Sequence, residues 1–412
     1  MVKCVSPGSG NGILHTARVM AQRPGSPKSL VAGTRQSDLS EFQCLLCLIA
    51  KQKGSLIGKQ TVPHMGLMCT DSSGGKQTWP PPERRVEHMS KLHRINDFSP
   101  GQTWARTRWN THGSGAAFDR KKQFSLSPAM KDFAEGQDFC VISFVDTNAQ
   151  VSGRLLHGRL GEFAKAPDDH HLIIQPLNLT LDDLPLCNPG AASWQLGIIF
   201  IEFKTRKRFC VHATAKWEET AGCLALEVTQ SFFHCAKYID PTYRIARFAS
   251  GGLREFAMSA NHGRLIQQLV HFLADQGVAF LCTVDRNGQC AVNHRGGKCG
   301  FISVNAIQGE ACLLLPDYAG NGAFEAIGNI WETRRAAVFV PDPERGYGVC
   351  VSGPADILDG QVLQTEAFVR SSEAQRVLAI YPQYFQVQSW NDDLGPLRRR
   401  GFLPIPTEQG TC

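Results

Sequence analysis

One spacing constrains this chain more than any other property. The run Phe139 to Val145 (FCVISFV) is β-branched and aromatic and is followed by Asp146-Thr147-Asn148; Phe280 to Val284 (FLCTV) is followed in the same way by Asp285-Arg286-Asn287-Gly288. Val145-Asp146 and Val284-Asp285 lie 139 residues apart, Ile199-Phe200-Ile201 recurs as Val338-Phe339-Val340 at the same distance, and Val211 with Ala215 recurs as Val351 with Ala355 at 140. Such strand-level matches imply an internal duplication. Each copy reads as strand, turn, strand, a variable middle, and a strand pair turning at a charged bend, Lys204 to Arg208 in the first and Pro343 to Gly346 in the second. A helical pattern precedes each copy: Met130, Phe133 and Ala134, then Leu265, Ile266, Leu269, Val270 and Leu273. Short antiparallel strands with flanking helices predict a mainly β (α+β) fold of two small barrels in tandem, because closing a sheet removes its exposed edges.

The pattern divides the chain into 1–125, a basic extension; 126–245, a degenerate first copy; 253–385, a second copy; and 386–412, a C-terminal tail. Leu363 to Ile380 has the spacing of a further amphipathic helix. Up to about Gln123 no period is sustained and breakers such as Pro24, Gly74, Gly75 and Pro80 to Pro82 recur, so this extension is expected to be largely disordered.

With 42% hydrophobic and 19% charged residues the chain can bury a core, and no apolar run approaches the ~20 residues of a membrane span, so an integral membrane protein is not expected. The net charge of +6 is uneven: residues 1–125 hold 18 Lys/Arg against 7 Asp/Glu. This basicity sits in Gly-, Ser- and Pro-rich sequence rather than on a patterned domain, so no nucleic-acid partner is expected. The first 37 residues contain five Lys/Arg and no Asp or Glu, with no apolar secretion segment. A cytoplasmic location is expected, with a mitochondrial transit segment as the alternative. The fifteen cysteines are dispersed, several inside apolar runs (Cys282, Cys312, Cys350), as buried reduced thiols would be. Cys44 and Cys47 form a single CxxC without a second pair, so no metal site is expected.

The chemistry-bearing residues concentrate in copy two. Its second strand ends in Asn293-His294-Arg295-Gly296-Gly297, a cation beside backbone freed of side chains, which suits a phosphate. A later strand ends in Asp317-Tyr318-Ala319-Gly320-Asn321 before a helical segment containing Asn329, placing polar side chains and free N–H groups at a helix start. Taken singly, each has a structural reading: a core histidine, a glycine bulge, a shaped loop. Together they form a cradle for a phosphorylated planar cofactor. Cys299 and the His234-Cys235 pair have structural readings too, since adjacent strand residues face opposite ways. No G-x-S-x-G, HExxH or complete Walker A sequence occurs.

These segments, "NHRGGKCGF" (Asn293 to Phe301), "LLLPDYAGNGAFEAIGNI" (Leu313 to Ile330) and "VFVPDPERGYGVCVSGPA" (Val338 to Ala355), resemble the tandem members of the flavin-binding split-barrel family related to pyridoxamine 5'-phosphate oxidase. "GIIFIEFKTRKRFCVHATA" (Gly197 to Ala215) and "VTQSFFHCAKYI" (Val228 to Ile239) are similar to the family's basic run and closing signature, with His212-Ala213 and His234-Cys235-Ala236 departing from it. The resemblance implies two tandem split β-barrels with FMN as cofactor, held by Asn293, His294, Arg295, Gly296, Gly297, Asp317, Tyr318, Gly320, Asn321 and Asn329, with His294 catalytic. It implies an FMN-dependent oxidoreductase passing electrons from a reduced donor such as NAD(P)H to an unknown acceptor. The alternative is a non-catalytic flavin- or haem-binding module. Flavin in such barrels lies between two subunits, so an intramolecular pseudo-dimer or a homodimer is expected, with at most one site because copy one lacks these motifs.

Overall fold

The computed structural model describes residues 99–179, 193–245, 254–257, 262–307, 310–359 and 374–390. Cys44, Cys47, the Gly54–Lys59 segment, the extension up to residue 98 and the tail from residue 391 lie outside them. Three helices lead in: α1 (Pro100–Arg108), α2 (His112–Asp119) and α3 (Pro128–Glu135). Copy one then forms β1 (Phe139–Val145), β2 (Val151–His157), β3 (Ala164–Lys165), β4 (His171–Ile174), β5 (Trp194–Glu202), β6 (Lys207–Glu218) and β7 (Cys223–His234). After β8 (Arg254–Ala257) and α4 (His262–Ala274), copy two forms β9 (Val278–Val284), β10 (Cys290–Gly296), β11 (Ser303–Ile307), β12 (Glu310–Asp317), α5 (Glu325–Thr333), β13 (Arg335–Asp342), β14 (Tyr347–Asp359), β15 (Arg376–Ile380) and β16 (Tyr384–Ser389).

The duplication holds in three dimensions. One sheet runs β2-β1-β5-β6-β7-β4-β3 and the other β10-β9-β13-β14-β15-β12-β11, the same order, with β16 added on β14 and β8 on β16. The first hairpins turn identically: the Asp146 carboxylate accepts from the Asn148 and Gln150 N–H groups, and that of Asp285 accepts from Asn287 and Gln289. Each is an Asx turn, the reason an Asp stands there. The fold is therefore mainly β, two tandem barrel-like sheets with flanking helices.

The registers correct one alignment. Val141 lies opposite Ile199 while Phe280 lies opposite Phe339, so Ile199 corresponds to Phe339 and not to Val338. A shift of one residue exchanges the two faces of a strand. Consistently, Ile199 and Phe339 share one core cluster while Val338 belongs to another. Each barrel has its own interior, with Ile142, Phe144, Ile198 and Phe200 in the first and Leu281, Leu315, Val338 and Val340 in the second. The opposite faces of the same strands meet between the copies: Val141, Ile199 and Cys210 pack with Phe280, Cys282, Phe339 and Cys350. Both faces being buried explains the near-continuous apolar run of β1, broken only by the buried Ser143. The seam is pseudo-symmetric, with the Cys210 thiol 4.0 Å from the Val292 carbonyl and the Gly153 N–H donating to the Cys350 sulfur at 3.3 Å.

Three other expectations are corrected. Residues 100–119, assigned to the unstructured 1–125 extension, form α1 and α2: their helix-forming stretch is short, and packing on copy two stabilises what propensity alone does not. The helix expected over Leu363 to Ile380 is not formed at its C-terminal end, where Arg376–Ile380 is a strand inserted between β12 and β14. A run such as Val377-Leu378-Ala379-Ile380, buried on both faces, fits a strand as well as a helix. Finally, β16 carries copy two past 385 to Ser389, and Trp390 beyond it is buried. Of the nine cysteines described, seven are buried, as expected of reduced core thiols. Among the described residues no helix is long and apolar enough to cross a membrane.

Candidate functional site

A cavity of about 120 Å³ opens where the end of β10 and the loop after β12 meet the end of β7 from the other copy. Asn293, His294, Arg295, Gly296, Asp317, Tyr318, Gly320 and Asn321 all line it, so the two motifs, separated by over twenty residues, do converge. Gly297 and Asn329 do not: Gly297 packs on Phe301, and the Asn329 amide donates to the Thr283 hydroxyl at 3.0 Å within the copy-two core. Copy one contributes Arg208, His234, Cys235, Lys237 and Tyr238. Sequence reasoning left these out of the candidate set, although the Lys204–Arg208 bend and the HCAKYI segment had been singled out and are the signal that locates them.

Individual placements revise individual roles. Arg295 does not face the cavity as a free cation. Its Nη1 donates to Asp317 Oδ1 at 2.6 Å, and Arg376 reaches Asp317 Oδ2 at 2.9 Å from both Nε and Nη2. Asp317 thus bridges two arginines, its single negative charge offsetting one of their two positive charges, and shapes the wall. Gly296 is required by its neighbour rather than by an anion, since a Cβ there would lie 2.0 Å from the Tyr238 carbonyl oxygen. Tyr238, itself at φ 63°, forms the copy-one side of the mouth: its ring packs on Tyr318 at 5.1 Å and its hydroxyl donates to the Ala319 carbonyl at 2.9 Å. Asn321 Oδ1 accepts from the Ala323 N–H at 3.1 Å and turns the chain into α5.

The floor is a buried polar cluster. Arg208, 8% exposed, donates from Nη1 to His294 Nδ1 and to the His294 carbonyl, each at 3.3 Å, and its Nη2 lies 3.8 Å from the Cys235 sulfur. No carboxylate pairs with it among the described residues. With Nδ1 accepting, the His294 proton sits on Nε2, which has no partner among the described residues; His234 Nε2, Arg208 Nε and Asn293 Oδ1 lack one there as well. Beyond them, Glu325 pairs with His212 Nε2 at 3.3 Å and accepts from the Asn293 amide at 3.3 Å. Burial by itself would raise the Glu325 carboxyl, but the charge and hydrogen bond of His212, with Lys122 and His234 farther off, hold it well below the usual range. Burial lowers the pKa of Arg208. Burial, then Arg208 and Arg295, push His294 well below its ordinary value, and burial with Arg208 pushes His234 down to about 3. At neutral pH His234 and His294 are therefore neutral, and the Arg208 guanidinium beside them has no carboxylate partner among the described residues.

The pseudo-equivalent position across the seam is not such a site. There Gln388 takes both backbone groups of Leu155, accepting from its N–H at 3.0 Å and donating to its carbonyl at 2.7 Å. Gly348 stands where Arg208 stands, and Leu155 and Leu156 where His294 and Arg295 do, by the strand registers. Asn178 is buried, its Oδ1 accepting from the His157 N–H and its amide donating to the Leu155 carbonyl.

The histidines make stability pH-dependent. His157, lowered to about 4 by burial, and His234 stay unprotonated in the fold where the unfolded chain, with the ordinary value of 6.5, takes up protons. Between about pH 6.5 and those folded values the unfolded state binds more protons, so stability falls as pH falls, by up to ~2 kcal/mol per histidine at pH 5. Urea midpoints at pH 7 and 5 should show this loss, reduced in His234→Phe; equal midpoints would contradict it.

No protein-family model matches the sequence, and no curated protein matches it. Among solved structures, HupZ from Group A Streptococcus aligns at 18% identity over 29% of this chain and 90% of its own, with a TM-score of 0.23. A pyridoxamine 5'-phosphate oxidase-related, FMN-binding protein from Nostoc punctiforme aligns at 11% identity over 33% of this chain and 87% of its own, TM-score 0.23. The haem storage protein HutZ from Vibrio cholerae aligns at 13% over 30% and 93%, TM-score 0.20.

Proposed function

We propose that this chain is an FMN-binding, oxidoreductase-like protein with one cofactor site at the seam, two intramolecular barrels standing where a homodimer of single barrels would otherwise be needed. The observation that carries this reading is Arg208. A buried guanidinium without a carboxylate is costly, and an anionic ligand in the adjoining cavity supplies the missing counter-charge. Lys237, exposed at the same rim, adds a second cation that holds no ion pair among the described residues. These two, rather than the Asp317-bound Arg295, would hold the phosphate. The sequence resemblance of the Asn293–Phe301 and Leu313–Ile330 segments narrows the anion to FMN. At about 120 Å³ the cavity is smaller than the ~300–1,000 Å³ of pockets that enclose a ligand, so FMN would extend past Tyr238 and Tyr318 into the open mouth.

A bound flavin supplies two-electron transfer between a donor such as NAD(P)H and an acceptor. The chain's own residues bind and orient. Neutral His294 accepts from Arg208 and fixes the guanidinium, a positioning role rather than contact with substrate, since it is 4% exposed. Gly320, with no atom closer than 3.9 Å to a Cβ built on it, leaves the rim open. One observation favours haem as the ligand instead: His234 is neutral and its buried Nε2 has no hydrogen-bond partner among the described residues, as suits an iron-ligating imidazole.

An absorption spectrum of the purified chain, followed by FMN titration, separates these. Bands near ~450 and ~370 nm with about one FMN per chain are expected. A Soret band would select haem, and a colourless chain that takes up no FMN would end the flavin reading.

A further inference from the structure

We propose that residues 99–123 are a strap that assembles the pocket from both copies at once, with Arg106 and Phe118 as its positioning residues; as a statement about ligand binding this rests on the FMN reading above. At its start the strap is clamped to copy two. Ser99 caps α1, the Gly101 N–H donates to Glu332 at 2.8 Å, and a Cβ at Gly101 would lie 2.1 Å from the Gly328 carbonyl oxygen, so the backbones of α1 and α5 touch. Trp104 stacks on Trp331 at 5.4 Å beside this contact.

The middle of the strap reaches the cavity wall. Arg106, 2% exposed, grips Asp119 of α2 at 2.6 and 3.1 Å and donates to the Ala323 carbonyl at 3.2 Å. Ala323 and its neighbours Phe324 and Glu325 line the cavity. The guanidinium therefore ties the two strap helices to the turn that delivers Glu325, and Trp109 packs on Phe324 at 5.2 Å next to it.

The far end is fastened to copy one. Phe118 stacks on the His234 ring at 5.1 Å and 23°, and Gln123 exchanges two backbone hydrogen bonds with Ser231 at 2.9 and 2.8 Å. His234 and Glu325 come from different copies, yet residues 99–123 reach both: Phe118 stacks on His234, and Arg106 holds the Ala323 carbonyl in the turn that delivers Glu325. A side chain fixed by packing and hydrogen bonds on both sides keeps its geometry, and a site built from two bodies needs such a tie. Ligand affinity therefore depends on a segment that touches no ligand.

The test uses the full chain with Arg106→Met, the milder Phe118→Leu in case Arg106→Met does not fold, Arg106→Lys as the conservative rescue, and Arg345→Met, whose ion pair with Asp342 lies in the β13–β14 turn, as control. Amide hydrogen exchange on the ligand-free proteins should quicken at residues 322–328 of copy two and 232–238 of copy one together, leaving 139–157 unchanged. The FMN dissociation constant should rise at least tenfold with an altered visible circular dichroism of bound flavin, partly restored by lysine. Exchange changes confined to 99–120, or unchanged FMN affinity and flavin spectrum, would overturn the strap. If the wild-type chain binds no FMN, the functional reading fails, and the exchange pattern still decides whether the strap couples the copies.

Discussion

Replacing Arg208 with methionine should abolish most FMN binding while leaving the fold as stable or more stable. Arg208 is 8% exposed, its charge meets no carboxylate among the described residues, and its contacts are an imidazole, a carbonyl and a thiol at 3.3 to 3.8 Å. Hydrogen bonds to a charged partner contribute about 1.5–3 kcal/mol each, so losing the ligand's pairing lowers affinity by roughly 100-fold. In the ligand-free protein the same guanidinium is a desolvated ion with incomplete compensation, and an apolar side chain of similar length removes that cost. Binding and stability thus move in opposite directions, which a general structural defect cannot produce. Isothermal titration with FMN and a thermal melt of the same samples check both. An unchanged dissociation constant would remove Arg208 from the site, and a melt lowered by several degrees would make it a structural ion.

Asp317→Asn should do the reverse, lowering stability severely. Its carboxylate, 5% exposed, accepts from Arg295 and from Arg376, which is 3% exposed and lies over Trp109 and Phe324 at 4.5 and 4.8 Å. Removing one partner of a buried pair costs about 3–5 kcal/mol because the other charge remains in the interior. In a chain of this size that is a fall in Tm on the order of 10 °C. Combining the change with Arg376→Met should recover part of the loss, as the stranded cation goes with its partner. A variant that melts like wild type but no longer binds FMN would instead return Asp317 to ligand contact, the role its position in the Asp-Tyr-x-Gly-Asn turn suggests.

The candidate site was legible in the sequence as two segments and illegible as a set of roles. Asn293 to Gly296, and Asp317, Tyr318, Gly320 and Asn321, do line one cavity, because each segment ends a strand of the same barrel. Their partners were the difficulty. Arg295 reads as a phosphate ligand until Asp317 is seen to hold it, and Gly296 reads as an anion cradle until the Tyr238 carbonyl is seen to occupy it. Residues 100–119 gave no sustained period because a segment that docks by two touching glycines, a tryptophan stack and one buried arginine has no repeating apolar face to display.

What the sequence determined by itself was the set of local choices: the strands, their Asx turns, the helices before each copy and the duplication, all of which depend on neighbours a few residues apart or on a repeated pattern. The tertiary structure decided what those elements face. It set the second half of the repeat one residue away from the alignment that the apolar runs suggested, which exchanges barrel interior for seam. It placed Arg208, His234 and Tyr238 of copy one against copy two, and it filled the matching position across the seam with Gln388. The physical reason is that a side chain's charge state and role are determined by which groups bury it. Here the burying groups come from segments 80 to 230 residues away, beyond the reach of any local pattern.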